Sequence, residues 1–237
     1  GVQAHGDVVP VLQADEAGHR GRIKIAFDEW NLRGWHHPGH NPAAKSPELL
    51  AARDENDRNE TYTMADACFS ACFLNACIRQ AAYVHTANMA PVVNARGPLF
   101  VHRDGIVKRT TFHVLKMYSD LLESNVMPAQ VTGDSLTHDG VSVPVVDAAV
   151  TRDESGTVVA IAIVNRHPNA AAECRLALTG MPADATVTAT VLSGDSPDAY
   201  NDVDRPNRVV PQKRGPTRLD ETVTLQPHSL TIVQVKT

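Results

Sequence analysis

Apolar and polar positions alternate over Ile23-Lys24-Ile25-Ala26-Phe27 and give way at once to Asp28-Glu29-Trp30-Asn31. The run is too short for a helix, and its β-branched residues predict a buried parallel strand that ends in two carboxylates, an indole and a carboxamide. In α/β barrels the loops at the C-terminal ends of the strands converge on one mouth, so Glu29 stands where such folds place catalytic groups. An Asp-Glu pair after a strand is also a common solvated turn or helix start, and spacing alone does not separate the two readings. Upstream, Asp7 to Ala17 reads as a short helix, with Asp7 as N-cap, Pro10 in the first turn and Gly18 past its end. A helix leading directly into a buried strand is the repeating step of a βα barrel, so the chain is expected to enter in the middle of one.

From Leu32 to Thr63 the periodicity is lost to Gly34, Pro38, Gly39, Pro42 and Pro47 and to the charge run Asp54 to Glu60. Loops of that length in compact domains are usually functional or disordered, and its place directly after Glu29 would let it roof the site. Within it, Trp35 offers a flat apolar face to a ligand and His36 or His37 a hydrogen bond. Three His with no carboxylate or Cys at ligand spacing do not make a metal site. Thr63 and Asp66 form a capping-box pattern for a helix to about Ala82, with Ala67, Cys68, Ala71, Leu74 and Ile78 on its buried face. Tyr83 to Met89 reads as a second strand. Lys108 to Leu122 reads as an amphipathic helix with Phe112, Leu115, Tyr118 and Leu122 along one stripe.

Residues Val126 to Gly133 read as a linker, after which short β-rich runs alternate with turns: Val141 to Val150, Thr157 to Asn165, Cys174 to Leu178, Ala185 to Leu192, Glu221 to Leu225 and Ser229 to Val235. The pattern predicts a C-terminal antiparallel β-sandwich at residues 125–237 after a barrel portion at residues 1–124. The part after Gln130 has enough strands to be expected to hold together alone.

A chain of 237 residues, 43% hydrophobic, has room for one large or two small cores. With a net charge of −5 and a pI of about 6.1 it offers no basic surface to follow a phosphate backbone, so nucleic acid is not an expected partner. No apolar run approaches the roughly 18 to 20 residues that span a bilayer, and no membrane partner is expected. Cys68, Cys72, Cys77 and Cys174 lack paired CxxC spacing and are expected to be buried reduced thiols of a cytoplasmic protein with no metal. Because the sequence opens on Gly1, a truncated, processed or tag-cleaved product is expected.

Phe27-Asp28-Glu29-Trp30-Asn31 resembles the nucleophile motif of family 51 glycoside hydrolases, the retaining α-L-arabinofuranosidases. The resemblance continues through Met64-Ala65-Asp66-Ala67, Phe73-Leu74-Asn75, Met89-Ala90-Pro91-Val92-Val93-Asn94, Gly97-Pro98-Leu99-Phe100 and Lys108-Arg109-Thr110-Thr111-Phe112-His113. Leu192-Ser193-Gly194-Asp195, Asn201, Pro206 to Val210 and Leu225 to Leu230 look like the C-terminal sandwich of the same family. One departure is Pro91, which stands where many members carry a sugar-contacting Gln; proline has neither a side-chain amide nor an N–H to supply that contact. The resemblance implies the last βα units of a (β/α)8 TIM barrel followed by a β-sandwich, with Glu29 as nucleophile and Trp30, Asn31, Trp35 and Asn94 as substrate-binding residues. It further implies an arabinose-containing oligo- or polysaccharide as substrate, no cofactor, and a homo-oligomer.

Retaining glycosidases need two carboxyl groups about 5 to 5.5 Å apart. Asp28 neighbours Glu29 on a strand and so faces the other way. Family members carry the acid/base in an Asn-Glu pair before the nucleophile, whereas Asn59-Glu60 follows it, in the charged loop. The chain is therefore expected to lack the acid/base, to depend on a missing N-terminal barrel segment or chain, and to be inactive alone. Two alternatives remain: a non-catalytic carbohydrate-binding or structural β-sandwich module, which would bind glycans without hydrolysis even with the missing half supplied, and one subunit of a split enzyme, which would co-purify with a barrel-sized partner.

Overall fold

The structure, a computed structural model, describes residues 18–19, 21–31, 62–94 and 96–237. The predicted helix at Asp7 to Ala17, the loop carrying Trp35, His36, His37 and His40, and the Asn59-Glu60 pair lie outside the described residues. Among the described residues the chain is mostly sheet, with two helices and no closed barrel.

Strand β1 (Ile25–Phe27) pairs in parallel with β2 (Val84–Ala87), Phe27 opposite Ala87, with helix α1 (Met64–Arg79) lying between them in sequence. β1 is less covered than its sequence suggests: Ile23 is 47% exposed and Ile25 and Phe27 are half-buried, because among the described residues the sheet has these two strands only. The capping box of α1 forms as expected, with the Thr63 N–H donating to Asp66 Oδ2 at 2.8 Å. The next orphan N–H groups are satisfied from far along the chain, Met64 N by Ala199 O and Ala65 N by Pro197 O, both at 2.9 Å.

β3 (Leu99–His102) and β4 (Gly105–Lys108) form a hairpin that leads into α2 (Thr110–Leu121). The buried face of α2 is set by Val114 and Met117, while Leu115, Tyr118, Leu121 and Leu122 pack at its margin and Phe112 is half-buried, so the predicted stripe is rotated.

The remainder is organised by a six-stranded antiparallel sheet whose outer strands the sequence pattern missed. β5 (Asn125–Met127), β8 (Val146–Arg152), β9 (Val158–Asn165), β14 (Ser229–Lys236), β11 (Thr186–Leu192) and β12 (Gln212–Arg218) lie side by side in that order. The expected linker therefore begins with an edge strand. The expected strand Val141 to Val150 divides instead: β7 (Val141–Pro144) turns back on β6 (Ser135–His138), and the Val145 N–H donates to Asp134 O before β8 begins. Of the expected strand Cys174 to Leu178 only Cys174 is extended, as the last residue of β10 (Ala172–Cys174), which pairs with β13 (Val223–Leu225).

Side-chain alternation gives the sheet two different faces. Val159, Ile161 and Ile163 of β9 with Val187, Val233 and Val235 meet Leu219, Leu225, Leu176 and Leu178, the layer that carries β10 and β13. Ala162, Val164, Leu192, Leu230 and Ile232 meet Met64, Ala67 and Ala71 of α1, Val114 and Met117 of α2, and Trp30 and Met89 beside the parallel pair. Small residues on α1 allow that close approach. One core thus crosses residue 124, with one face of the sheet covered by α1 and α2.

Candidate active site

The β1–β2 pair ends where Asn88 N donates to Phe27 O at 2.7 Å, and the next residues leave the sheet. Asp28 and Glu29 are exposed, and Trp30 turns inward to 7% exposure, its indole stacked on Phe73 at 4.4 Å between ring centroids. Phe27 meets the same ring edge-on at 5.3 Å. The buried indole N–H has no acceptor among the described residues. Trp30 thus anchors the segment and leaves Glu29 at the surface.

A second segment, the turn between β2 and β3, closes on this one. Arg96 Nη2 donates to Glu29 Oε1 at 3.0 Å, while the carbonyl of Arg96 accepts from Asn31 Nδ2 at 2.7 Å. One residue therefore engages both polar side chains that flank Trp30. Glu29 keeps a side-chain exposure of 56% and Arg96 27%, so the pair borders solvent.

The turn is itself held from below. Asn94 takes a left-handed φ of 53°, tolerated by Asn, and its Oδ1 accepts the Val101 N–H at 2.6 Å, so part of its carboxamide ties the turn to β3. Arg109, 2% exposed, donates through Nη1 to Gly97 O at 2.7 Å and Asn94 O at 3.4 Å, and its guanidinium lies over the rings of Tyr62 at 4.5 Å and Phe100 at 5.2 Å. Gly97 is required sterically: a Cβ there would stand 2.4 Å from the backbone carbon of Val92.

Of the sequence-derived site residues, the structure brings together Glu29, Trp30 and Asn31, and places Asn94 in the turn that carries Arg96. Trp35 lies outside the described residues. Sequence reasoning missed Arg96 and Arg109 as parts of this arrangement. No periodicity marks either one; the only signal was the Asn94-Ala95-Arg96-Gly97-Pro98 turn, whose Gly-Pro step fixes a chain reversal without saying what it faces.

No group of three His, Cys, Asp or Glu among the described residues is arranged to hold a metal. No helix among them is long and apolar enough to cross a membrane. Burial pushes the Cys72 thiol up to about 12 and Cys77 to about 11, and pushes Cys68 up further.

The alpha-L-arabinofuranosidase C-terminal domain family matches residues 28–229. An exo-α-(1→6)-L-arabinofuranosidase of Bifidobacterium longum is 29% identical over 97% of this chain and 45% of its own length. An intracellular exo-α-(1→5)-L-arabinofuranosidase of Streptomyces lividans is 30% identical over 88% of this chain and 31% of its own. The solved family 51 α-L-arabinofuranosidase of Bifidobacterium longum superposes with a TM-score of 0.76 at 25% identity, covering 96% of this chain and 46% of that one. That of Thermotoga petrophila gives 0.77 at 23% identity, with 95% and 46% covered. The chain spans less than half the length of each of these relatives. With its residues 28–229 matched by that family, the chain belongs to the α-L-arabinofuranosidase C-terminal domain family and corresponds to the C-terminal portion of family 51 α-L-arabinofuranosidases.

Proposed function

We propose that this chain supplies the nucleophile half of a retaining α-L-arabinofuranosidase. Residues 1–124 form the last βα units of a (β/α)8 barrel and residues 125–237 a sandwich-like sheet domain packed against them through the shared core. The observation that carries the reading is the position of Glu29: directly past the end of a parallel strand, exposed, and held by one flanking turn while Trp30 is driven into the core.

In this reading a carboxylate oxygen of Glu29 attacks the anomeric carbon of a terminal arabinofuranosyl residue and displaces the aglycone, giving a covalent arabinosyl ester. Water then attacks the same carbon and releases Glu29 as carboxylate. Asn31 and Asn94 border the sugar, Trp30 supports the floor from beneath, and Trp35 contributes from the following loop. The acid/base comes from barrel strands outside this chain, so the chain alone does not turn over. Neither a metal nor an organic cofactor enters this chemistry.

The test is Glu29→Ala in the complete enzyme, assayed on an arabinofuranoside with a good leaving group. Turnover is expected to be almost abolished, with partial rescue by azide through a product of inverted configuration. Retention of more than a few per cent of activity would exclude Glu29 as nucleophile.

A further inference from the structure

We infer that Arg96 is the positioning residue of the candidate nucleophile and that it governs release of the covalent intermediate more than its formation; the inference rests on Glu29 being that nucleophile. The contact alone would be an ordinary surface ion pair of little consequence. Its support makes it different. The backbone of Arg96 is pinned by Asn31 Nδ2 on its carbonyl, and the adjacent Gly97 carbonyl by buried Arg109. The Gly97 N–H closes back on Asn94 O at 2.6 Å, in a space no Cβ can enter. The backbone that carries Arg96 is fixed this way, and its side chain, 27% exposed, already meets Glu29, so a positive field is in place when charge develops.

The sign of the effect follows from the charge on Glu29 in each step. In the first, a bond forms between Glu29 and the anomeric carbon while the bond to the aglycone oxygen breaks, that oxygen taking a proton from the acid group. The carboxylate becomes a neutral ester whose carbonyl oxygen is Oε1, the atom Arg96 contacts. The ion pair is weakened, so Arg96 does not favour this step. In the second, water bonds to the anomeric carbon, giving a proton to the general base, and the ester C–O bond breaks with its electron pair returning to Glu29. Negative charge reappears on a carboxylate that Arg96 already contacts, and this step is favoured.

The experiment compares Arg96→Leu, Arg96→Lys and Glu29→Ala in the complete enzyme, with steady-state and rapid-mixing assays on an aryl arabinofuranoside. For Arg96→Leu, kcat is expected to fall about tenfold or more, the scale of one charge-assisted hydrogen bond. The fall in kcat/KM should be smaller, KM should drop, and a burst of aglycone should match the enzyme concentration. Arg96→Lys should recover part of kcat and shrink the burst. A protein that merely lost packing would lose kcat and kcat/KM together without a burst, and that result, or unchanged kinetics, overturns the inference while leaving Glu29 in its role if Glu29→Ala is dead and azide-rescued. If Arg96→Leu does not fold, the same split in Arg96→Lys decides. An active Glu29→Ala overturns both readings at once.

Discussion

Asn75, on α1, donates from Nδ2 to Asp147 Oδ2 of β8 at 2.9 Å, across the sequence boundary between the helical part and the sheet. The same carboxamide accepts the Tyr118 hydroxyl of α2 at 2.7 Å, and Arg79 reaches Asp147 Oδ1 at 3.1 Å. Burial holds the Tyr118 phenol well above its ordinary range, so it stays a neutral donor. Two helices and the sheet are joined through one amide with no exposure. Asn75→Ala is therefore expected to cost about 2 kcal/mol in denaturant unfolding, because it strips partners from buried polar groups. Lys116→Ala, which removes an exposed pair with Asp120, should cost less than about 0.5 kcal/mol. Equal effects would show that the network does not brace the interface.

Gly97→Ala tests the turn that presents Arg96. The new methyl meets backbone rather than a flexible side chain, so relief requires the 92–97 segment to move. We expect a loss of about 1–3 kcal/mol, the range of core overpacking, and loss of activity in the complete enzyme of the same kind as Arg96→Leu. Wild-type stability in this variant would mean the turn is not closed as described.

His113 gives a pH dependence with a defined sign. Burial, with a smaller contribution from Lys108, lowers its folded-state value to about 4 from an ordinary 6.5. Between those values the unfolded chain binds the extra proton and the folded one does not, so stability is full above about 6.5 and falls as the pH drops towards 4. His113→Gln should flatten the stability profile in that window. A parallel profile in the variant would assign the acid sensitivity to other groups.

The thiols on α1 should be kinetically silent. With Cys68 buried and Cys72 and Cys77 pushed up by desolvation, little thiolate exists near neutral pH. A thiol reagent at pH 8 is expected to modify them slowly in the native protein, and all four cysteines promptly after unfolding. Fast stoichiometric labelling of Cys68 in the native state would sink this account.

Fragments test the shared core. A polypeptide of residues 130–237 loses β5 and both helices, leaving Ala162, Val164, Leu230 and Ile232 without cover. It should bind a hydrophobic dye and aggregate, whereas residues 62–237 should unfold cooperatively. Cooperative unfolding of the shorter fragment would restore the sheet as an independent unit.

The elements that sequence reasoning found are those whose side chains alternate or repeat because they are buried: α1 with its Thr63–Asp66 cap, β9, β11 and β14. β12 and β6 were not legible, and β7 was read as one strand with β8, because every residue of β12 and of β7 and all but one of β6 is exposed and no burial imposes a period on them. The candidate site was legible only where the motif is contiguous. Glu29 could be read from its place at the end of a strand, but its contact with Arg96 spans 67 positions and depends on how two turns meet, which no local pattern encodes.

β12 reads Gln212-Lys213-Arg214-Gly215-Pro216-Thr217-Arg218 and forms one border of the six-stranded sheet. A border strand is normally a template on which a foreign strand can grow. Here the adjacent cations Lys213 and Arg214 repel a like copy, and Pro216 lacks an N–H that a docking backbone could use. The sheet is thereby given a final width, and the protein resists strand-by-strand fibre growth from this side; replacing Lys213, Arg214 and Pro216 with threonine or valine would convert a terminus of the sheet into a seed.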